Sequence, residues 1–253
     1  MTNRTWFQKF WPPTAAILLL LVVWQLAVTI WAVPAWMLPS PLQIVSEGIS
    51  SMPRMWMHTA FTIRMTLIGY AIGAVVGFVL SFVLHMLPRI KTAFYPLLIL
   101  SQNIPIIALA PLLMIWFGFG LLPKMIVITL VCFFPIAVAT LDGFAQTDPV
   151  MMNYMKMIGA SRRQIFFKLE LPHAIPYLFS GLKISATYSV MGAVISEWLG
   201  SDKGIGVYML LAKSGFRTDR VFVAIFIIVF LSLLLFGCII LLERVCTRWK
   251  PKV

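Results

Sequence analysis

Long apolar runs alternate with short polar segments along nearly all of this 253-residue chain. A helix needs about 20 apolar residues to cross the hydrocarbon core of a bilayer, and runs of that order recur through the sequence. Only Lys183 and Glu197 interrupt the fifth run, each near one of its ends. The pattern therefore predicts an all-α integral membrane protein with six transmembrane helices, near residues 14–33, 65–87, 94–117, 122–141, 174–199 and 221–243.

The third predicted span contains an unusual set of polar residues and prolines. Ser101, Gln102 and Asn103 come just before Pro105, separated from it by Ile104, in a run that is otherwise apolar. A proline inside a membrane helix frees a backbone carbonyl, which is tolerated where another helix or water takes up the hydrogen bond. Two interpretations stay open here: a broken helix that lines a pathway, or a kinked helix that only packs against its neighbours.

The segment 34–64, between the first two spans, is rich in proline and polar residues. Because a residue that precedes proline avoids the helical conformation, the Pro39–Pro41 part should be extended. We expect a linker outside the cell followed by an amphipathic surface helix. The predicted organisation is then a first helix with this outer segment over 1–57, a transmembrane domain over 58–244, and a short basic tail over 245–253.

One polar turn, from Asp148 to Pro172, is far longer than a membrane protein needs to reverse its chain. Asp148 followed by Pro149 is typical of a helix N-cap with proline at the first helical position. Gly159 should end that helix, since glycine tolerates the left-handed conformation that helix ends often require. Val150 and Tyr154, four residues apart, would share one apolar face of this helix.

The same segment contains the signals for a second helix. Ser161 and Gln164 have the spacing of a capping box, in which each side chain bonds the backbone N–H of the other residue. Pro172 should close this second helix, because proline cannot continue an interior helical turn without losing a hydrogen bond. The sequence thus predicts a rigid hairpin of two short helices that faces water.

Charge indicates how the chain is oriented. Lys and Arg outnumber Asp and Glu by 20 to 8, and most of the basic residues fall on one side of the predicted spans. Since cytoplasmic loops of membrane proteins are enriched in Lys and Arg, both termini and the segment 142–173 are expected in the cytoplasm. The net charge of +12 therefore reflects topology. No nucleic-acid-binding motif accompanies it, so the lipid bilayer is the expected partner.

The first apolar run of the chain is too long for a signal-peptide core and should remain as an uncleaved span.

The hairpin resembles the cytoplasmic coupling loop of ABC importer permeases. In that family Glu-Ala-Ala is followed by three residues, Gly, nine residues, and a hydrophobic-x-Leu-Pro sequence. Gly159, the nine-residue gap, and Leu169, Leu171 and Pro172 fit this pattern, and the Gly-Ala-Ser step at 159–161 is typical of it. The chain departs from the family at 153–155, where Asn-Tyr-Met replaces Glu-Ala-Ala.

Other segments resemble one branch of these permeases, which carries nitrate, sulfonates and taurine, as well as riboflavin and pyrimidine precursors of thiamine. The similar segments are IPIIALAPLLMIWFGFG at 104–120, FFPIAVATLDGF at 133–144 and ISEWLGSDKGIG at 195–206. FRTDRVFVAI at 216–225 is most similar to the pyrimidine permeases. Alkanesulfonate, taurine and riboflavin remain alternative solutes.

The resemblance implies a type I ABC importer permease fold and a set of partners in the cell membrane. These are two copies of an ATP-binding subunit, a second permease copy that makes a homodimer, and an extracytoplasmic solute-binding protein. No GxxxxGK[ST] motif occurs in the chain, so ATP would bind the partner subunit and this chain would hold no cofactor or metal. The coupling residues would be Val150, Tyr154, Gly159, Ala160, Ser161, Leu169, Leu171 and Pro172. Candidates for the translocation path or gate are Gln102, Asn103, Tyr188, Ser189 and Glu197.

Two other classes of protein fit the sequence less well. An ion-coupled secondary transporter needs ionisable groups within the membrane, and Glu197 is the one carboxylate that the predicted spans place there. An intramembrane enzyme needs a nucleophile with a base, or a metal site. The histidines His58, His85 and His173 stand far apart in the sequence, and no HExxH motif occurs. We therefore expect a permease subunit that has no catalytic residues of its own.

Overall fold

A computed structural model describes residues 6–247, and all of its regular elements are helices. Arg4 and most of the predicted basic tail over 245–253 lie outside the described residues. The helices are α1 Trp6–Ile30, α2 Pro41–Met86, α3 Pro88–Gln102, α4 Ile106–Phe117, α5 Leu121–Ala145, α6 Pro149–Met157, α7 Arg162–Ile165, α8 Leu171–Trp198, α9 Ile205–Ser214 and α10 Thr218–Cys246, with a π-helical turn at Phe166–Glu170 between α7 and α8.

The predicted all-α fold with six membrane crossings is confirmed. Five helical stretches are long and apolar enough to cross a bilayer, and α3 with α4 is a bent pair that makes a sixth if the two helices form one span. The axis turns by 99° between α3 and α4. Of the two interpretations of the third span, the broken helix is therefore the one observed.

The prediction of a linker and a separate surface helix over 34–64 is wrong for most of that segment. From Pro41 onward the chain belongs to α2, a single helix of 46 residues. At 1.5 Å per residue it is about 70 Å long, roughly twice the thickness of the hydrocarbon core. Ser40 starts it with a capping box to Gln43, and the helix continues past Pro53. The polar residues that hid this helix reflect its extension beyond the membrane.

The core of the protein is formed by α5, which packs between α2 and α8. Glycines let the helix backbones approach closely, as is common in membrane bundles. A Cβ atom on Gly73 of α2 would lie 2.6 Å from the Cβ atom of Cys132 on α5. A Cβ atom on Gly181 of α8 would lie 2.8 Å from the Cα atom of Ile136. These contacts fix α2, α5 and α8 as one tightly packed unit.

Two further features differ from the sequence-based prediction. The helix α9, between the fifth and sixth crossings, was not predicted, because at 10 residues it is too short to give a membrane-span signal. Lys124, which the predicted span 122–141 places at its outer end, lies in the first turn of α5 and only 6% of it is exposed. The predicted start of this span agrees with α5 to one residue, whereas its predicted end is four residues too early.

Candidate functional site

The first limb of the hairpin forms as its capping residues predict. The Asp148 carboxylate accepts a hydrogen bond from the backbone N–H of Val150 at 2.8 Å, and Pro149 is the first residue of α6. The helix ends at Met157, and Gly159 follows with a φ of +76°. The Ala160 N–H donates to the Met155 carbonyl at 3.0 Å, which satisfies one of the last carbonyls of the helix.

This first limb presents an apolar face that the other described residues leave uncovered. No residue of α6 is buried. Val150 is 72% exposed, Tyr154 53% and Met157 79%. An amphipathic helix of this kind fits a groove on another protein, where its apolar side chains act as anchors. Among the predicted coupling residues, Val150 and Tyr154 are therefore placed on one accessible surface.

The second limb differs from the prediction, because Pro172 does not close it. Ser161 and Gln164 form the expected capping box, with Gln164 N–H to Ser161 Oγ at 3.3 Å. The chain then stays helical through the π-helical turn and into α8, whose first turn contains Pro172. In the wider turn the N–H of Leu171 donates to the Phe166 carbonyl, five residues back. This spacing accommodates the proline without breaking the helix.

The two limbs are anchored very differently. Gly159 and Ser161 are exposed and Ala160 is half-buried, so the bend between the limbs lies at the tip. Leu169, Leu171 and Pro172 are half-buried at the base. Next to them, Ile165 and Phe166 are almost completely buried against the ends of the membrane helices. The hairpin thus has a free first limb and a base that is part of the bundle.

A cavity of about 400 Å³ lies at the break between α3 and α4. Gln102, Asn103 and Tyr188 line it, so three of the five residues that were predicted for the path meet there. Aromatic and aliphatic side chains from α5 complete the wall. None of the described residues that line it is charged: they are Ser101, Gln102, Asn103, Ile104, Pro105, Ile106, Leu109, Leu130, Val131, Phe133, Phe134, Pro135, Tyr188 and Met191.

The other two predicted path residues lie away from this cavity wall. Ser189 is fully buried, and its hydroxyl donates to the Ala186 carbonyl at 2.7 Å. Glu197 is 1% exposed and both of its carboxylate oxygens are occupied. Its Oε1 accepts from the Thr62 hydroxyl at 2.7 Å, and its Oε2 accepts from the Gly206 N–H at 2.8 Å.

Glu197 belongs to a cluster that caps the start of α9. The Ile205 N–H donates to Thr62 Oγ1 at 2.9 Å, and the Gly204 N–H donates to His58 Nδ1 at 3.1 Å. Side chains of α2 and α8 thereby satisfy three consecutive backbone N–H groups that would otherwise lack partners. We call this cluster the α9 cap. Sequence reasoning missed His58 and Thr62, because they lie more than 100 residues before the helix that they cap.

Comparison with known proteins identifies the family. Residues 69–245, more than half of the chain, match the family described as binding-protein-dependent transport system inner membrane component. The chain belongs to this permease family. The permease is 37% identical to the formylaminopyrimidine transport permease protein ThiX of Halalkalibacterium halodurans, over 95% of this chain and 96% of that protein. It is 35% identical to the riboflavin transport system permease protein RibX of Chloroflexus aurantiacus, over 96% of this chain and 93% of that protein.

More distant relatives and solved structures agree with this assignment. The permease is 31% identical to the putative aliphatic sulfonates transport permease protein SsuC of Escherichia coli, over 92% of this chain and 89% of that protein. The MetNI methionine ABC transporter in an inward-facing form matches with a TM-score of 0.63 and 20% identity, covering 79% of this chain and 99% of that one. An amino acid ABC transporter matches with a TM-score of 0.66 and 14% identity, covering 78% and 95%. At these identities the two structures support the fold alone.

Proposed function

We propose that this chain is the membrane-spanning subunit of an ATP-driven importer for a small, uncharged heteroaromatic solute of the pyrimidine type. The proposal that ATP drives transport rests on the uncovered apolar face of α6. A separate ATP-binding subunit would dock on Val150 and Tyr154 and drive the hairpin. ATP would bind that subunit, and this chain would contribute no catalytic residue and hold no cofactor.

The assembly that we propose contains two copies of this chain and two ATP-binding subunits. The hairpin and both termini would lie in the cytoplasm, consistent with the basic residues on that side of the spans. An extracytoplasmic solute-binding protein would deliver the solute from the other side. Alternating access would follow as closure of the ATP-binding pair moves the two hairpins.

The chemistry of the cavity supports the proposed solute class. Its wall combines aromatic rings of Phe133, Phe134 and Tyr188 with the side-chain amides of Gln102 and Asn103. Rings stack on planar heteroaromatic molecules, and amides hydrogen-bond their ring nitrogens and carbonyls. A sulfonate or taurine would bring a negative charge to a wall whose described residues offer no cation, and an unpaired charge is costly to desolvate.

The names of the relatives point in the same direction. Identity is 37% with a formylaminopyrimidine permease and 35% with a riboflavin permease. It falls to 31% and 26% with a sulfonate and a taurine permease of Escherichia coli. Riboflavin is also an uncharged heteroaromatic compound, so it is the alternative solute that the cavity fits best.

An ion-coupled transporter receives less support from the geometry. Glu197 was the candidate carboxylate for ion coupling, and both of its oxygens are taken by Thr62 and Gly206. A buried carboxylate that accepts a hydrogen bond on each oxygen from within the protein is suited to holding structure in place.

Uptake measurements test the proposed solute. We expect cells that contain this gene to accumulate radiolabelled formylaminopyrimidine, and cells in which it is deleted to lose that uptake. An excess of unlabelled taurine or alkanesulfonate should leave the uptake unchanged, and riboflavin serves as the matched aromatic competitor. Unchanged pyrimidine uptake after deletion, with loss of sulfonate uptake instead, would refute the proposed solute class.

A further inference from the structure

The base of the hairpin contains a hydrogen bond between a histidine and a carboxylate that joins it to a different membrane helix. His85, in the last turn of α2, has its Nε2 atom 2.9 Å from Oε2 of Glu170, the last residue of the π-helical turn. Both side chains are largely shielded, with exposed fractions of 19% and 16%. A hydrogen bond in such a shielded place is stronger than one on an open surface, because less water competes for its groups. It links residues that are 85 positions apart in the sequence.

Aromatic rings extend this contact to a third helix. The His85 ring stacks on Phe144, near the end of α5, with centroids 4.3 Å apart and planes 19° apart. The ring centroid of Phe166 in the hairpin lies 5.8 Å from that of Phe144 and 5.3 Å from that of Phe82 of α2. Phe144 and Phe166 are almost completely buried. The ends of α2 and α5 and the base of the hairpin therefore meet in one compact cluster.

We propose that His85, Glu170 and the ring cluster beneath them form a joint that makes α2 and α5 move together with the hairpin. The proposal rests on the proposed function, in which a partner subunit displaces the hairpin. His85 and Glu170 act as positioning residues in this joint. Neither lines the cavity at the break between α3 and α4.

The chain order shows which helix needs such a joint. The hairpin continues directly into α8, and α5 leads into its first limb through residues 146–148, so both helices are joined to the hairpin along the chain. These two helices supply Tyr188, Phe133 and Phe134 to the cavity wall. The helix α2 has no such connection to the hairpin in chain order. The contacts of His85 with Glu170 and of Phe82 with Phe166 supply it, and Phe144 ties the end of α5 to the same place.

A thiol-labelling experiment tests the joint without knowledge of the solute. The complex with its ATP-binding subunit is placed in nanodiscs, the native cysteines are replaced by serine, and Gln102→Cys reports on the cavity. The rate of maleimide labelling is measured without nucleotide and after trapping with ATP and vanadate. In this background we expect the labelling rate to change clearly on trapping. In His85→Ala and in Glu170→Ala the ratio of the two labelling rates should fall toward one, although vanadate is still trapped.

Three variants make the result specific. Glu170→Gln keeps a hydrogen-bond acceptor for His85 and should retain most of the labelling change. Lys168→Gln alters an exposed charge on the same turn and should behave like the parent protein. The double variant His85→Ala/Glu170→Ala should be no worse than either single variant, because both remove the same contact.

Failure of the joint can be told apart from failure of the proposed function. If the parent protein neither traps vanadate nor changes its labelling, the ATP-driven function itself is wrong. If the parent responds and both alanine variants keep the same fold-change, the joint is refuted alone. Losses that multiply in the double variant, or alanine variants that no longer retain the ATP-binding subunit, would also overturn it.

Discussion

The hairpin and the α9 cap lie at opposite ends of α8 and are built in opposite ways. Every capping contact of the hairpin joins residues two to five positions apart, and its first limb leaves α6 without a buried residue. The α9 cap joins Thr62 to Glu197 and Ile205, across more than 130 positions, and its carboxylate is 1% exposed. One region is a local structure with a free surface, whereas the other is a buried tertiary contact.

This difference indicates which region serves a partner and which holds the bundle together. A surface that docks a partner has to remain accessible, so changes there should affect association and leave stability nearly unaltered. A buried and fully hydrogen-bonded carboxylate is costly to disturb, because the groups left behind lose their partners. Variants at the two ends of α8 should therefore separate into two classes.

The largest effect is expected from Gly204→Ala in the α9 cap. A Cβ atom there would lie 2.1 Å from Cδ of Glu197, and the backbone φ is +124°. Left-handed strain and overpacking each cost roughly 1–3 kcal/mol, so the loss should be about 4 kcal/mol. Thermal unfolding in detergent measures it.

Gly159→Ala in the hairpin is the matched control for that substitution. Gly159 also has a positive φ, +76°, but a Cβ atom there meets nothing within 4 Å. Only the backbone strain remains, so the loss should be about 1 kcal/mol. Equal losses at the two glycines would mean that the contact with Glu197 does not constrain the α9 cap.

Glu197→Ala should destabilise the protein by roughly 3 kcal/mol, less than Gly204→Ala but more than Gly159→Ala. The Gly206 N–H and the Thr62 hydroxyl would both lose their acceptor in a buried place. Glu197→Gln retains one acceptor oxygen and should lose about 1 kcal/mol. The difference between the two thermal unfolding midpoints is the readout, and an alanine variant as stable as the parent would contradict the structural role of the cap.

Gly159→Val should affect function far more than stability. A β-branched residue at a φ of +76° strains the bend between the limbs by about 1–3 kcal/mol, but this bend is exposed and can relax locally. We expect the variant to reach the membrane and to hydrolyse ATP with its partner, while solute uptake is lost. If the variant took up solute normally while it hydrolysed ATP at a normal rate, the hairpin would not couple ATP hydrolysis to uptake.

The sequence predicted the local contacts of the structure well and the distant contacts poorly. The caps at Asp148 and Ser161 and the end at Gly159 were correct, because each depends on neighbouring residues. The five unbroken spans were correct because apolar length alone encodes them, whereas the 99° bend within the third predicted span follows from its prolines and polar residues. Pro172 was interpreted wrongly, since the π-helical turn that accommodates it leaves no local signature in the sequence.

The distant contacts were not predictable from these patterns. Glu197 was noted as a carboxylate near the end of a span, but nothing in a linear sequence indicates that Thr62 reaches it. His85 and Glu170 were likewise two isolated polar residues at helix ends. The Gly204-x-Gly206 spacing after Glu197 was the one available signal, because small residues permit the close approach of a side chain to the backbone.

The most direct test of the account is recovery of a partner ATPase with the tagged chain from mild detergent. We predict an ABC-type ATP-binding subunit in roughly equal amount with the parent protein. Tyr154→Asp, which places a charge on the exposed face of α6, should lose that subunit while its unfolding midpoint stays nearly unchanged. No ATPase with the folded parent protein under several detergents, or equal recovery with Tyr154→Asp, would contradict the assignment of α6 as the docking surface.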